Sequence, residues 1–421
     1  MRPLLEIVRL ELRRLWRSRA ALALLGLSLV WMFAMPHVLK SDGTPGGARE
    51  LYVHFSLGGA FALTLIALAS SAASSLSRER DEKRLQLTLV RPVRFFAVAL
   101  ARMIALVAVG AANLAICAAV LAFSTDTAIR CSRVVSPVMI SPRAEAELMY
   151  DEFMKDPETP PEVKKTKKSV VLRLLTQKAV DNYQSIAPGE TVSWDFGEVP
   201  GAQSSKLAVR LRFTNDFDMR EEVRGTFDYG GLSGVISNIT QAIVKVPLSG
   251  VRQGEDKTAS APRLSFTNAG ETSLMLRPRR DINILVEADS FAANLVRAYI
   301  ELVSVMALVI AFAMLLGSGL GRSVAVFTCI SFIFASVVSG DIIEQYPDQL
   351  ETDRVDSIGL AITRAVQFVS RPVASLRPLG ALASDEMVEL GETAQVFVLD
   401  FLLIPLLASL LCGVVMTRKK S

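Results

Sequence analysis

The sequence predicts a polytopic α-helical membrane protein of about six transmembrane helices. An inserted, mainly-β domain of sandwich or jelly-roll type is predicted to stand outside the membrane. Three observations carry that prediction. Of the 421 residues, 51% are hydrophobic, and the mean hydropathy of +0.38 exceeds that of ordinary soluble chains. The excess is gathered into six apolar runs. Between the third and fourth runs the chain turns first to charged helical sequence and then to apolar–polar alternation.

The runs are residues 20–38, 55–76, 98–123, 298–316, 323–338 and 395–416. Each is long enough, or nearly so, to cross about 30 Å of hydrocarbon as a helix rising about 1.5 Å per residue. The fifth is the shortest and suits a tilted or re-entrant piece. A cleaved secretory signal does not account for the first run. Two acids, Glu6 and Glu11, precede it, and its exit, WMFAMPHVLK, offers no small-x-small cleavage site.

Residues 1–19 place Leu4, Leu5, Val8, Leu12, Leu15 and Trp16 at spacings of three and four, with Arg2, Arg9, Arg13 and Arg17 on another face. That pattern predicts an amphipathic helix lying in the membrane interface. Taking the N-terminus as cytoplasmic, segments 1–19 and 77–94 carry six Lys/Arg each, whereas 340–394 carries four against ten Asp/Glu. The positive-inside rule then puts both termini in the cytoplasm and the large inserted domain outside an inner, cytoplasmic membrane.

The domain plan follows: the interfacial helix at 1–19, three spans over 20–123 with a cytoplasmic loop at 77–95, the outer domain at 124–293, and three spans over 294–421. Within the outer domain, EAELMYDEFMKDPETPPEVKKTKKSVVLRLL suggests one or two helices broken at Pro160–Pro161. From Gly189 onward six or seven short stretches, among them KLAVRLRFT, RGTFDY and INILVEA, alternate as strands between turn residues. Between the last two spans, 340–394 is too polar to cross; Ile358, Ile362, Val366 and Val369 form one stripe that suits the outer leaflet.

Several chemistries are argued against. Two histidines, His37 and His54, make a His-based metal site or a catalytic triad improbable. Cys117, Cys329 and Cys412 fall within spans and only Cys131 outside, which argues against an intrachain disulfide. No G-x-x-x-x-G-K-[ST] phosphate cradle occurs; Gly317-Ser-Gly-Leu-Gly-Arg-Ser323 lacks its lysine and reads as a tight turn between two spans. No cofactor, enzyme activity or nucleic-acid partner is expected. Polar groups within spans are costly and therefore candidates for function. Arg297 and Glu301 stand four apart and can pair on one helix face. Asp400 falls near the outer end of the last run, Arg102 lies within the third run, and Asn113, also in the third, needs a partner helix. Snorkelling and local pairing is the plainer account of these residues, and a substrate path the sharper one.

The densest charge, Arg78 to Arg84, lies between two apolar runs. A helix from about Arg78 to Val90 would set Leu85 and Leu89 among Glu79, Arg80, Asp81 and Glu82, with Pro92 ending it before the next span. The positive-inside rule asks for Lys and Arg but does not explain the acids between them. A charged helix with a small apolar tip is shaped to dock on a cytosolic partner.

The ordered pattern Glu79-Arg80-Asp81, then Leu85-Gln86-Leu87-Thr88-Leu89, then Arg91-Pro92-Val93, then Arg102 resembles the corresponding loop of type-2 ABC exporter permeases. It differs in Asp81, where a second glutamate is usual, and in Lys83-Arg84, where a Gly-Thr pair is common. The likeness covers the roughly 250 residues of the membrane part. It implies a permease subunit paired with a second, identical or related, copy. Each subunit would contact a separate cytosolic ATPase that binds the ATP through residues 79–92, in a lipid membrane and with the outer domain free for an extracytoplasmic partner. The alternative is a membrane-anchored scaffold or binding protein whose outer domain does the work. A membrane enzyme acting on lipid or peptidoglycan lacks a recognisable nucleophile.

Overall fold

A computed structural model describes residues 2–17, 19–40, 47, 50–81, 95–124, 130–155, 168–180, 182–200, 206–214, 222–240, 243–250, 263–345 and 377–418. They form two compact units, one drawn from Met1–Cys131, Asp289–Pro347 and Ile358–Ser421, the other centred on Ser132–Ala288.

The helical unit opens with α1 (Arg2–Arg17), whose Leu4, Val8, Leu12 and Leu15 are half-buried while Leu5 and Trp16 are exposed. α2 (Arg19–Val38) follows. A π-helical turn, Tyr52–Leu57, then winds into α3 (Gly58–Asp81), and α4 (Phe95–Ser124) comes next.

In the β unit, helices α5 (Pro142–Lys155) and α6 (Lys168–Val180) pack as a pair; the proline break predicted between them lies outside the described residues. The strands are β1 (Arg130–Val135), β2 (Gln184–Ile186), β3 (Thr191–Trp194), β4 (Leu207–Arg212), β5 (Glu222–Tyr229), β6 (Leu232–Ile239), β7 (Ile243–Leu248), β8 (Leu264–Asn268), β9 (Leu274–Leu276) and β10 (Ile282–Ser290). They form one four-stranded sheet ordered β1-β10-β4-β7, another ordered β3-β8-β5-β6, and a two-stranded β2–β9 pair. β4 pairs antiparallel with β7 and β10, and β5 with β6 and β8. Inward residues of both larger sheets share one core, in which Phe266 lies between Phe213 and Phe227 at centroid distances of 4.9 and 4.7 Å.

Strands β1, β2 and β6 escape the alternation pattern. In β6 the inward position between Leu232 and Ile236 is Gly234, where a Cβ would stand 2.8 Å from Val246 Cγ1. Close packing thus demands a glycine where a pattern search looks for an apolar side chain.

α7 (Phe291–Gly319) is capped by Ser290, whose hydroxyl accepts the Ala293 amide at 3.3 Å. α8 (Arg322–Gln345), α9 (Arg377–Ala383) and α10 (Leu390–Val396) follow, and a π-helical turn, Phe397–Leu403, joins α10 to α11 (Ile404–Arg418). Among the described residues, four stretches are long and apolar enough to cross a membrane: Tyr52–Ser77, Phe95–Ser124, Phe291–Gly319 and Leu390–Thr417. The apolar parts of α2 and α8, Gly26–Met35 and Arg322–Phe334, are shorter. The protein is therefore a membrane protein with a separate β unit. The predicted stripe 358–369 lies outside the described residues.

α7 is the axis of the helical unit, packed on α3, α4, α8 and α11. The tight turn expected over Gly317–Ser323 is made by Leu320 and Gly321 alone, and Gly317 itself lies inside α7. A Cβ on Gly317 would stand 2.2 Å from the Ala73 carbonyl oxygen. Lipid tails supply little drive for helix association, so such helices gain contact by bringing backbones together over small residues.

Candidate functional site

Polar side chains gather at three levels of the helical unit. At the first level, α3 ends at Asp81 and α4 begins at Phe95. Glu79, Arg80 and Asp81 occupy the last turn of α3. Glu82, Leu85, Leu89, Arg91 and Pro92 lie outside the described residues, as does most of the predicted docking helix. Two turns into α4, Arg102 is buried, and its Nε donates to Glu11 Oε1 of α1 at 3.0 Å. Arg14 approaches the other oxygen of that carboxylate at 3.8 Å. Taking a guanidinium out of water is costly unless a charged acceptor meets it, so the pair fixes α1 against the start of α4. Glu11 was legible as unusual: it stands three residues after Val8 and four before Leu15, on the apolar stripe of an arginine-rich helix.

At the second level Asn113 of α4 finds two partner helices. Its Nδ2 donates to Ser28 Oγ of α2 at 3.0 Å and to Thr64 Oγ1 of α3 at 2.7 Å. Thr64 in turn donates to the Ala60 carbonyl at 2.7 Å, and all three side chains are buried. A fully satisfied knot of this kind sets helix register.

At the third level, the end where α3 begins and α4 finishes, a cavity of about 950 Å³ opens. Glu50, His54, Glu301, Glu386, Glu389 and Glu392, with Ser384, contribute its polar lining, and no Lys or Arg lines it among the described residues. Residues from the first π-helical turn and from 378–389 form much of the wall. Glu301, itself buried, accepts from Thr393 Oγ1 at 2.6 Å. Arg297 donates to Asp289 at 2.6 Å and to the Val388 carbonyl at 3.4 Å. The pair expected between Arg297 and Glu301 is replaced on the arginine's side: the guanidinium turns back to the more exposed Asp289, where both charges keep more water.

Asn294, which the sequence did not single out, is fully buried and clamps the same wall. Its Nδ2 donates to the Glu386 carbonyl and its Oδ1 accepts the Val388 amide, each at 2.7 Å. The signal was a polar series on one face of a hydrophobic helix: Asn294, Arg297, Glu301. Asp400 stands apart from the cavity lining, buried in the second π-helical turn. It comes ten residues after Leu390, about 15 Å along the helix.

Among the described residues no group of three or more His, Cys, Asp or Glu is arranged to hold a metal ion. Comparison of the chain with protein-family models, curated proteins and solved structures returns no match.

Proposed function

We propose that this chain is the membrane-spanning permease subunit of a type-2 ABC exporter. It would couple ATP hydrolysis by a separate cytosolic subunit to export or to work on the envelope. The observation that carries the reading is the ordered Glu79-Arg80-Asp81, Arg91-Pro92-Val93 and Arg102 pattern between two long apolar helices. It is supported by the buried Arg102–Glu11 bond, which ties an amphipathic N-terminal helix to the helix following that loop. In this reading six helices span the membrane, α2 and α8 among them, with the chain ends and residues 77–95 cytoplasmic and the β unit outside. Two permease subunits pair, and ATP-driven movement of the docking segments shifts the helices around a path between them. The chain itself binds no nucleotide and performs no bond chemistry.

The test is a gentle-detergent pull-down scored for a co-purifying ATPase. A stoichiometric ATPase that disappears when 79–90 is scrambled supports the permease. Partners that come instead through 124–293, with no ATPase, sink it in favour of a membrane-anchored scaffold. On the permease reading, Glu79→Arg and Leu85→Asp abolish stimulation of the ATPase while the detergent-solubilised chain melts as the parent does.

A further inference from the structure

The first helix carries a surface that the bundle does not use. We infer that Arg13, Arg14 and Arg17 of α1 form a binding site for the phosphate of an anionic phospholipid. The inference goes beyond the exporter reading and requires none of it, only that the long apolar helices stand in a membrane.

The depth of α1 follows from the helix that holds it. α4 has 30 residues, about 45 Å of helix, which matches a bilayer with its headgroup layers included. Arg102 comes seven residues after Phe95, the first residue of α4, so it lies about 10 Å from that end, close to where headgroups give way to hydrocarbon. Its Nε donates to Glu11 of α1 at 3.0 Å, and α1 packs on α4. The three arginines stand within about 9 Å of Glu11 along α1, beside the headgroup layer. Trp16, exposed among them, is a side chain that settles at that level.

The apolar stripe Leu4, Val8, Leu12 and Leu15 is half-buried, whereas Leu10, Arg13, Arg14 and Arg17 are exposed at spacings of three and four. These four line a recess of about 420 Å³, to which no acid contributes among the described residues. Three cations around one recess repel, and at i,i+3 and i,i+4 the repulsion weakens the helix itself. The negative end of the helix offsets it for Arg14 and Arg17, which stand in the last turn, but not for Arg13. Glu11 approaches Arg14 at 3.8 Å, yet its other oxygen is held by Arg102. An anion in the recess removes the repulsion for all three at once. Guanidinium groups grip phosphate through paired N–H donors, and Leu10 gives the glycerol end of a lipid an apolar flank. A zwitterionic headgroup would bring its own cation among the arginines, so the recess selects lipids of net negative charge.

Native mass spectrometry of the full-length chain in neutral detergent tests the site, with dioleoylphosphatidylglycerol, dioleoylphosphatidylcholine and inorganic phosphate added separately. Phosphatidylglycerol is expected to bind about tenfold or more tightly than phosphatidylcholine. Arg13→Gln and Arg17→Gln, both at exposed positions where folding is undisturbed, should each weaken it about tenfold, the loss of a charge-assisted hydrogen bond. Arg13→Lys keeps the charge but not the planar fork, and should still weaken it about threefold. Arg9→Gln removes the same charge from the same helix outside the recess, and should change the affinity about twofold or less, since exposed charges are screened. Equal losses for Arg9→Gln and Arg13→Gln would mean diffuse attraction to a basic helix and overturn the site, as would equal affinity for the two lipids. Inorganic phosphate binding as tightly as phosphatidylglycerol would make the ligand a soluble phosphate and overturn the lipid assignment.

Discussion

Asn113 illustrates what a single polar residue does inside an apolar bundle. Its amide joins α2, α3 and α4 through Ser28 and Thr64, and each such bond between helices is worth roughly 0.6 kcal/mol. Asn113→Leu is therefore expected to cost about 1–2 kcal/mol, read as a lower melting temperature of the solubilised chain. In the β unit, the Glu222 carboxylate is gripped bidentately by Arg224 at 2.9 Å on both oxygens. That hydrogen bonding holds its pKa below the usual value of 4.5. The sign follows: its contribution is present above the unfolded-state pKa and fades as pH falls through the lower, folded value. Because the pair is fully exposed, the increment is small. Acid titration of melting should show a slightly shallower loss of stability in Glu222→Gln than in the parent below about pH 4.5, and identical slopes would refute the assignment.

Elements meet backbone to backbone where glycine permits it, and the effect of adding a methyl group depends on what lies opposite. Gly317 faces the Ala73 carbonyl oxygen with no room for a Cβ, whereas Gly26 in α2 has nothing within 4 Å. Gly317→Ala should force α7 and α3 apart at a cost of about 1–3 kcal/mol. Gly26→Ala should be neutral or stabilising by up to about 1 kcal/mol, since alanine is the better helix former. Melting both variants side by side checks the contrast; equal effects would mean that α3 and α7 do not touch there. The two π-helical turns fall at the start of α3 and within the α10–α11 helix. Each adds a residue to one turn and so rotates the side chains that follow, and one of them lines the cavity.

For the whole molecule, the decisive feature is that the apolar helices and the β strands close on separate cores. The β core is large and drawn from both sheets, with inward residues such as Trp194, Phe227, Leu264 and Ile284 buried. Residues 130–290 expressed without the helices should therefore fold, giving a β-type circular dichroism spectrum and a cooperative melt. A fragment that is soluble only as an aggregate, or that melts without cooperativity, would show that the β unit needs the helices.

The apolar runs, the amphipathic first helix and most strands were legible because hydropathy and periodicity are local properties, written within ten to thirty residues. β6 was hidden because its inward position is a glycine, and α8 extends beyond the apolar run that announced it because a helix continues wherever its backbone bonds can. The polar partners were not local. Arg102 meets Glu11 from 91 positions away, Asn113 meets Ser28 from 85, and Asn294 meets Val388 from 94. Sequence alone marked Arg102, Asn113, Arg297 and Glu301 as polar groups in costly places, because desolvation depends on residue type and setting. Which acceptor each one reached was decided by how the helices pack, since a hydrogen bond exists only where two chains arrive within about 3 Å of one another. The cavity wall is likewise a tertiary product, assembled from segments that the sequence holds hundreds of residues apart.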